Sequence, residues 1–335
     1  MKPAIICFGE VLLRLSSPGK ELLLQSPRFD AHIGGAEANV AVSLQKFGHR
    51  TRVVSTLPDS TLGRACADEL RRHGVETDSI HFGDGRMGMY FLTHGAGHRP
   101  AEVLYDRANS AFAIAAPANY DWASLLKNVR WLHVSGITPA VSSATAEAAL
   151  QAMQAARAAG IKISFDCNFR ARLWGARAPE APQLLTRLCE QADVIFGDDR
   201  DIGFMLGFQT SATDVRREAA DVAFKTFKHL RYIVCTERAR HSVDHQQLTG
   251  LLFDSKNTYR SRSYPLHSIV DRIGGGDAFA AGVLHGLLTD MTPQEAIEFG
   301  AAAGCLKHSI PGDFNLLGVS DVELLLSEKG GDVRR

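Results

Sequence analysis

The chain alternates short apolar runs with longer segments in which apolar residues recur every three or four positions. The short runs are typical of strands buried on both faces of a sheet, and the longer segments of amphipathic helices. In residues 37–49, Val40, Leu44 and Phe47 share one helical face, and Gly48 marks the end of that helix. The predicted strands are residues 4–15, 51–57, 129–136, 161–168, 192–198 and 231–236. The predicted helices are residues 37–49, 61–74, 142–160, 277–288 and 293–309. This alternation predicts an α/β fold with a doubly wound, mostly parallel sheet and helices on both faces.

Two segments interrupt the alternation. Residues 12–33 and 84–107 contain strand-like stretches without a helical period, which predicts a small β-sheet lid over one edge of the main sheet. We expect one domain over residues 1–328, with these two segments as its lid, and a frayed C-terminal tail over residues 329–335.

Composition and charge narrow the class of protein. Of the 335 residues, 45% are hydrophobic and 22% are charged, and the formal net charge is zero. A balanced charge gives no electrostatic reason to expect nucleic acid or an anionic membrane as a partner. The six cysteines contain no Cys-x-x-Cys pair, which argues against a disulfide framework or a zinc site and indicates a cytoplasmic location. No segment approaches the roughly 20 apolar residues of a membrane span.

The stretch DRIGGGDAFAAG, residues 271–282, places three glycines and an aspartate directly before a predicted helix. The amides of Gly274, Gly275 and Gly276 can converge on one point, and the helix adds the positive end of its dipole. Such a loop suits a phosphate group or the charge on a transferred phosphoryl group. Two alternatives stay open, namely a tight connection and a simple N-cap role for Asp277. The stretch is not a Walker A loop, since no Gly-Lys-Ser/Thr follows.

A second glycine pair precedes the first helix, in GGAEANVAV at residues 34–42. Gly34 and Gly35 permit the close approach of a ligand, and Asn39 offers an amide in the early part of the helix. The alternative is a glycine-rich turn followed by a polar residue.

Together, these two motifs resemble the signatures of the ribokinase-like (PfkB) carbohydrate kinases. The first is similar to the family's N-terminal Gly-Gly-x-x-x-Asn, and the second to its C-terminal Gly-x-Gly-Asp. The likeness extends over nearly the whole chain. Within the family it is nearest to the 2-keto-3-deoxygluconate kinases, through residues 105–111, 132–140, 166–174 and 306–315. Fructokinases share several of these softer patterns.

The resemblance implies a ribokinase-like fold and the transfer of a phosphoryl group from ATP to a sugar hydroxyl, assisted by Mg²⁺. It implies that Asp277 is the base and that Gly274, Gly275 and Gly276 form the anion hole, with Gly274 and Gly276 also touching the nucleotide. On the sugar side it implies contacts from Gly34, Gly35, Asn39, Tyr90, Tyr105, Arg107 and Arg170. A guanidinium suits a carboxylate, so the two arginines favour a sugar acid as the substrate.

Each of these sugar-side contacts has an alternative. The two tyrosines could pack in the core of the lid. The arginines could form structural ion pairs, Arg107 with Asp106 for example. Arg170 could act on the transferred phosphate rather than on the carboxylate.

The sequence departs from the family pattern in the turn DDRD. Asp198 and Asp201 stand where the family has Asn and Glu. Their oxygens keep a role near Mg²⁺ possible, through water, with Asp198 also near the nucleotide. The alternative is a solvated acidic turn.

The stretch TERARH is a second departure. Thr236 matches the family's nucleotide-binding turn, but Arg238 and His241 replace its two glycines, so we expect a different shape here. The spacing of His241 and His245 is typical of a polar loop rather than of a metal site. Finally, Arg272 replaces a frequent Thr and could face a nucleotide phosphate or pair with the adjacent Asp271.

The sequence therefore predicts a kinase that phosphorylates 2-keto-3-deoxygluconate on its terminal hydroxyl. The alternatives are a fructokinase, a kinase of another sugar acid, and a sugar-binding protein without phosphoryl transfer. The expected partners are the sugar acid, ATP and further copies of the chain, because pairing two lids in a homodimer or higher oligomer would cover their open edges and apolar faces.

Overall fold

The computed structural model describes residues 2–208, 213–240, 242 and 245–327. The strands of this part of the chain are β1 (Ala4–Phe8), β2 (Leu12–Ser16), β3 (Asp30–Gly34), β4 (Thr51–Pro58), β5 (Ile80–Gly83), β6 (Met89–Thr93), β7 (Glu102–Asp106), β8 (Val129–Ser135), β9 (Lys162–Asp166), β10 (Val194–Phe196), β11 (Tyr232–Arg240), β12 (His245–Phe253), β13 (Thr258–Arg260) and β14 (Tyr264–His267). The helices are α1 (Ala36–Lys46), α2 (Thr61–Arg72), α3 (Ala111–Ile114), α4 (Trp122–Leu125), α5 (Ile137–Val141), α6 (Ser143–Ala158), α7 (Ala171–Trp174), α8 (Ala181–Cys189), α9 (Asp199–Leu206), α10 (Val215–Thr226), α11 (Gly275–Leu288), α12 (Pro293–Lys307) and α13 (Val319–Leu326), with 3₁₀ turns at Pro117–Asn119 and Gly175–Glu180.

Ten of the described strands form one large sheet in the order β13-β12-β11-β10-β9-β8-β1-β4-β5, with β14 also paired to β12. Neighbouring strands from β11 to β5 are parallel, and β12 is antiparallel to its three partners. This confirms the predicted mostly parallel α/β sheet.

Successive side chains of a strand point to opposite sides of the sheet. Because the central strands are apolar at successive positions, both faces of the sheet are apolar and both are covered by helices. In β1, Ile6 and Phe8 pack into one hydrophobic core. Ile5 and Cys7, on the same strand, pack into a second core on the other face. A strand buried on both faces explains why the sequence shows continuous apolar runs rather than alternation.

A separate four-stranded sheet has the order β3-β2-β6-β7, as the two irregular segments predicted. Strands β2 and β6 are parallel, and the other two pairings are antiparallel. Leu12, Tyr90 and Leu92 form its small buried cluster. The predicted tail, residues 329–335, lies outside the described residues, and the domain boundaries remain a prediction.

The first apolar run is two strands, so the prediction of one strand over residues 4–15 is wrong. Strand β1 belongs to the large sheet and β2 to the small one. Between them, Gly9 lies so close to the buried Glu37 side chain that a Cβ on this glycine would be 2.1 Å from Glu37 Oε2. The chain changes sheets at this close contact, which hydrophobicity alone does not reveal.

Strand β11 is longer than predicted. It continues past Thr236 to Arg240 and pairs with β12 along the whole of that extension, up to Arg240 opposite Gln246. The expected turn over residues 236–240 is therefore a strand, while His241 lies outside the described residues. Among the described helices, none has an apolar stretch of the length that a bilayer requires.

Candidate functional site

Two cavities meet beside the N-terminus of α11. They lie near the carboxyl ends of β9 and β10 and near residues 234–236 of β11. The larger has a volume of about 620 Å³ and the smaller about 330 Å³. The residues that line both are Asp166, Asn168, Arg170 and Gly276. Ligands of open parallel sheets bind at this end of the strands, next to helix N-termini.

The three glycines of the loop have different roles. Gly274 is the N-cap residue of α11 with φ of 80°, and a Cβ there would lie 2.0 Å from the Asp313 carbonyl oxygen. A Cβ on Gly275 would lie 2.5 Å from His308 Cε1. A Cβ on Gly276, by contrast, would meet no protein atom within 4 Å, and this residue borders both cavities. Packing therefore requires the first two glycines, although Gly274 also lines the smaller cavity, whereas a side chain at the third would project into open space.

Asp277 is the third residue of α11 and faces the smaller cavity. The helix is capped by Gly274, so the alternative that Asp277 is merely the N-cap is wrong. Asn39 Nδ2 donates a hydrogen bond of 2.7 Å to Asp277 Oδ2. Burial raises the pKa of Asp277 to about 7; the Asn39 bond opposes this rise, and the charges of Glu37 and Asp313 add to it. A carboxylate with a pKa near neutrality is suited to accept a proton.

Asp166, at the end of β9, is a site residue that the sequence reasoning did not single out. Burial and, second, the charge of Asp277 raise its pKa to about 8. It lies on the border between the two cavities, and its Oδ1 accepts a hydrogen bond of 3.1 Å from the Asn168 amide. The available signal was an acidic residue at the carboxyl end of a predicted parallel strand.

The smaller cavity brings together most of the predicted sugar-side residues, which are Gly35, Asn39, Tyr90, Tyr105, Arg107 and Arg170. Gly34 is not part of its lining. A Cβ on Gly34 would lie 2.1 Å from Asp313 Oδ2, so this glycine makes room for a carboxylate. The close approach at Gly34 is thus to a protein side chain rather than to a ligand.

Asp313 is a second residue that the sequence reasoning missed. It lines the smaller cavity although it is only 2% exposed. The Tyr90 hydroxyl donates a hydrogen bond of 2.5 Å to its Oδ2, and Arg14 Nη1 lies 3.2 Å from its Oδ1. Burial raises the pKa of Asp313, and the positive charge of Arg14 opposes that rise. The hydroxyl of Tyr90 is therefore already engaged by the protein.

Arg107 has both features that were predicted as alternatives, a place on the smaller cavity and a structural ion pair. It lines the smaller cavity, yet its Nε donates a hydrogen bond of 2.6 Å to Glu10 Oε2 in a pair that is almost fully buried. Ser110 Oγ donates to the other oxygen of Glu10. The suggested partner Asp106 instead pairs with Arg86, so that alternative is wrong. Arg170, in contrast, is exposed, and its Nη1 donates a hydrogen bond of 3.4 Å to the Phe169 carbonyl oxygen.

The DDRD turn is a helix cap. Asp198 is the N-cap of α9, and its Oδ1 accepts bonds of 2.9 Å from the Arg200 amide and 3.2 Å from the Asp201 amide, while Asp201 Oδ2 accepts one of 2.9 Å from the Asp198 amide. This reciprocal capping box explains the three-residue spacing. Burial raises the pKa of Asp201 to about 6. Both carboxylates also line the larger cavity, as does Thr236.

Two further arginines lie on the smaller cavity. Arg238, on the extended part of β11, has its Nη1 3.4 Å from His308 Nε2. Arg272 has its Nη2 3.4 Å from Gln246 Oε1, and the carboxylate of Asp271 accepts a bond of 2.7 Å from Arg14. Arg272 thus lines the smaller cavity, next to the glycine loop.

The polar loop predicted at His241 and His245 is wrong for His245, which is the first residue of β12, while His241 lies outside the described residues. The ring of His245 lies 4.5 Å from that of His267, centroid to centroid. In the described part of the chain, no group of three or more His, Cys, Asp or Glu side chains is placed to hold a metal ion.

Comparison with known proteins identifies the family. Residues 2–315 match the family model described as pfkB family carbohydrate kinase. The chain is 32% identical over 333 residues to a 2-dehydro-3-deoxygalactonokinase of Haloferax volcanii, covering 99% of this chain and 98% of the relative. The crystal structure of a 2-dehydro-3-deoxygluconokinase from Thermotoga maritima superposes with a TM-score of 0.92 and 38% identity, covering 97% of this chain and 99% of that one. A protein described as ribokinase II from E. coli, solved with ATP and Mg²⁺, shares the fold at a TM-score of 0.84 and 18% identity, over 98% of this chain and 100% of that one.

Proposed function

The chain belongs to the pfkB family of carbohydrate kinases, and on that premise we propose that it phosphorylates 2-keto-3-deoxygluconate on its terminal hydroxyl with ATP. The observation that carries the proposal is the junction of the two cavities at Gly276. One cavity is large enough for a nucleotide, the other suits a small sugar acid, and Asp277 faces the second of them directly beside the junction.

In the proposed reaction the sugar lies in the smaller cavity with its terminal hydroxyl at Asp277. This carboxylate accepts the hydroxyl proton while the sugar oxygen bonds to the terminal phosphorus of ATP and the bond to ADP breaks. Asn39 holds one oxygen of Asp277, which leaves the other to accept the proton. The amides of the loop from Gly274 to Asp277 and the dipole of α11 stabilise the charge on the transferred group. Positioning and charge stabilisation of this kind account for most of the catalysis of phosphoryl transfer.

Mg²⁺ fits the larger cavity as an ion held through water. Asp166, Asp198 and Asp201 contribute carboxylate oxygens to its lining, and oxygen is the ligand that Mg²⁺ prefers. The two aspartates of the capping box are already bonded to backbone amides, which favours contacts with coordinated water over direct ligation. When bound, the ion supplies charge neutralisation at the phosphates of the nucleotide.

The preference for an acid is supported by the cationic lining of the smaller cavity. Arg107 is neutralised by Glu10, so Arg170 is the stronger candidate to bind the substrate carboxylate. Its place on the border of both cavities also suits the alternative role at the transferred phosphate. The selectivity for acids over neutral sugars therefore forms part of the test.

The deciding experiment measures ATP turnover with a panel of substrates. The panel contains 2-keto-3-deoxygluconate, its C4 epimer, another sugar acid and fructose, each with and without Mg²⁺. We expect the highest kcat/KM for one of the two 3-deoxy-2-keto acids. A higher value for fructose would overturn the proposed substrate, and the absence of turnover with every sugar, although binding is retained, would favour a sugar-binding protein.

A further inference from the structure

Lys307, the last residue of α12, has a fully buried side chain. Its Nζ donates hydrogen bonds of 2.9 Å to the Gly312 carbonyl oxygen and 3.1 Å to the Ile310 carbonyl oxygen. A buried ammonium is costly unless it is paired and hydrogen-bonded. Lys307 lines neither of the two cavities, so it does not touch substrate directly.

The surroundings of Lys307 supply balancing charge. Arg14 lies 2.7 Å from Asp271 and 3.2 Å from Asp313, and all three side chains are at most 2% exposed. Burial lowers the pKa of Lys307, and the charges of Asp271 and Asp313 oppose that shift. Two cations and two carboxylates thus form a buried group whose formal charges cancel.

This buried group of four charged side chains packs against Gly274 of the glycine loop. A Cβ built on Gly274 would lie 2.0 Å from the Asp313 carbonyl oxygen and 3.2 Å from Lys307 Cε, so both residues pack against the N-cap of α11. Asp271 links the two segments, because its Oδ1 accepts a bond from the Ile273 amide and its Oδ2 accepts one from the Gly312 amide, each of 3.0 Å.

Capping of α12 does not explain why the Lys307 ammonium is buried at this position. The last carbonyl groups of α12 are bonded by backbone amides, Ser309 to Leu306 and Ile310 to Lys307. The two carbonyl groups that Lys307 binds lie beyond the helix, in the loop that packs against Gly274.

We propose that the Lys307 ammonium is an internal cation that positions the anion hole. It holds the 310–313 loop through two carbonyl groups, and that loop in turn holds Gly274 in the conformation that directs the amides at the phosphoryl group. The inference rests on the proposed role of residues 274–277 as the anion hole. Lys307 is a positioning residue, since it acts through the loop and not on the substrate.

The test uses Lys307→Ala and Lys307→Met in the full chain, with Lys46→Ala as the matched control. Lys46 is also the last residue of a helix, α1, but is partly exposed. We expect kcat of both Lys307 variants to fall about 10–100-fold, the loss typical of a small misplacement of a catalytic group. Added ammonium or methylammonium chloride should raise the kcat of Lys307→Ala at least fivefold, whereas tetramethylammonium chloride at the same ionic strength should not raise it. Lys46→Ala should keep the wild-type rate.

A kcat of Lys307→Met within twofold of wild type would overturn the inference, as would a loss in Lys307→Ala that ammonium does not restore selectively. If Lys307→Ala folds but is too unstable for kinetics, its melting temperature replaces the rate as the readout, and the absence of selective stabilisation by ammonium has the same meaning; if it does not fold, Lys307→Met alone decides.

Gly276→Ala separates this inference from the proposed function. The added methyl group meets no protein atom, so the fold is retained while the group projects into the space beside the cavities. A wild-type kcat in Gly276→Ala would contradict the anion hole itself. An impaired Gly276→Ala beside fully active Lys307 variants would contradict only the role of Lys307.

Discussion

At the residue scale, two charged side chains beside the smaller cavity, Arg107 and Asp277, differ in how their charge is balanced. Arg107 has a complete counter-charge in Glu10, and removal of one partner of such a pair typically costs about 3–5 kcal/mol because the other is left buried and unpaired. Asp277 accepts a hydrogen bond from the amide of Asn39, and the charge of Arg170 also favours its ionised form, yet burial still raises its pKa. In the first arrangement each charge depends on its partner, whereas the second leaves a carboxylate that can accept a proton, at a cost in stability.

Asp277→Asn should therefore lower activity and raise stability. We expect kcat to fall by at least about 10²–10⁴-fold with little change in sugar KM, because the substitution removes the proton acceptor and keeps its size. The wild-type kcat should decline as the pH falls below about 7, where this carboxylate becomes protonated.

The stability of the same variant has a defined pH dependence. The folded-state pKa of Asp277 is raised to about 7 from its ordinary value of 3.8, so the folded wild type binds more protons than the unfolded chain between these values. The contribution of Asp277 to the stability of the wild type is therefore present at low pH and is lost as the pH rises from about 4 to about 7. Thermal unfolding should show that the advantage of Asp277→Asn over wild type increases from pH 4 to pH 8. A constant difference would contradict the raised pKa.

Arg170→Ala tests recognition of the substrate carboxylate more directly than Arg107→Ala, because Arg170 is exposed, whereas loss of Arg107 leaves the buried Glu10 without its partner. The charge of Arg170 also opposes the rise in the pKa of Asp166 and Asp277, so the sugar KM rather than kcat is the readout. We expect the KM for 2-keto-3-deoxygluconate to rise about 10–100-fold, the loss of a charge-assisted hydrogen bond, with a much smaller effect on a neutral ketohexose. The control is Arg172→Ala, at an exposed arginine of α7, the helix for which Arg170 is the N-cap residue, and Arg172 lines neither cavity. A fall in kcat with both sugars would instead assign Arg170 to the transferred phosphate.

At the scale of elements, α9 shows how one motif can serve the fold and the site together. Asp198 and Asp201 close the capping box of this helix and also line the larger cavity. An alanine substitution would remove the cap, at a cost of about 0.5–2 kcal/mol, in addition to any effect on metal. The two contributions separate only if the hydrogen bond is kept while the charge is removed.

Asp201→Asn retains an oxygen that can accept the bond from the Asp198 amide. If Asp201 binds water of Mg²⁺, this variant should need a higher Mg²⁺ concentration for half-maximal rate, by about 10-fold or more, with an unchanged sugar KM. Glu295→Gln, in the capping box of α12 away from both cavities, should leave the magnesium titration unchanged. Superimposable titrations of Asp201→Asn and wild type would reject the metal role.

At the scale of the whole molecule, the small sheet exposes apolar side chains that its own strands do not cover. Leu104 on β7 is 56% exposed, and Leu24, in the connection between β2 and β3, is 75% exposed. Tyr105, next to Leu104, lines the smaller cavity. Contact between two such sheets would therefore bury apolar surface and lie close to the proposed sugar site.

We expect a homodimer or a dimer of dimers through the small sheets. Leu104→Glu should shift the species toward the 36.4 kDa monomer, since it places a charge within the contact. Leu62→Glu, at an exposed leucine of α2, should leave the assembly unchanged. Sedimentation of wild type as a monomer at micromolar concentration would contradict the expectation.

The sequence by itself determined the parallel α/β sheet, the separate small sheet, the glycine loop and its aspartate, and the resemblance to the carbohydrate kinases. These features depend on the order of residues within short stretches, through side-chain periodicity and backbone freedom. They required no knowledge of which distant residues meet.

Only the tertiary structure decided which side chains pair across the molecule. Arg107 meets Glu10, Tyr90 meets Asp313, and Arg14 meets Asp271, over separations of 97, 223 and 257 residues. The same contacts assign Gly34 to protein packing. A partner is chosen by proximity after folding, and the charge balance and pKa of a buried group follow from that partner, so residue type and local spacing could not supply them.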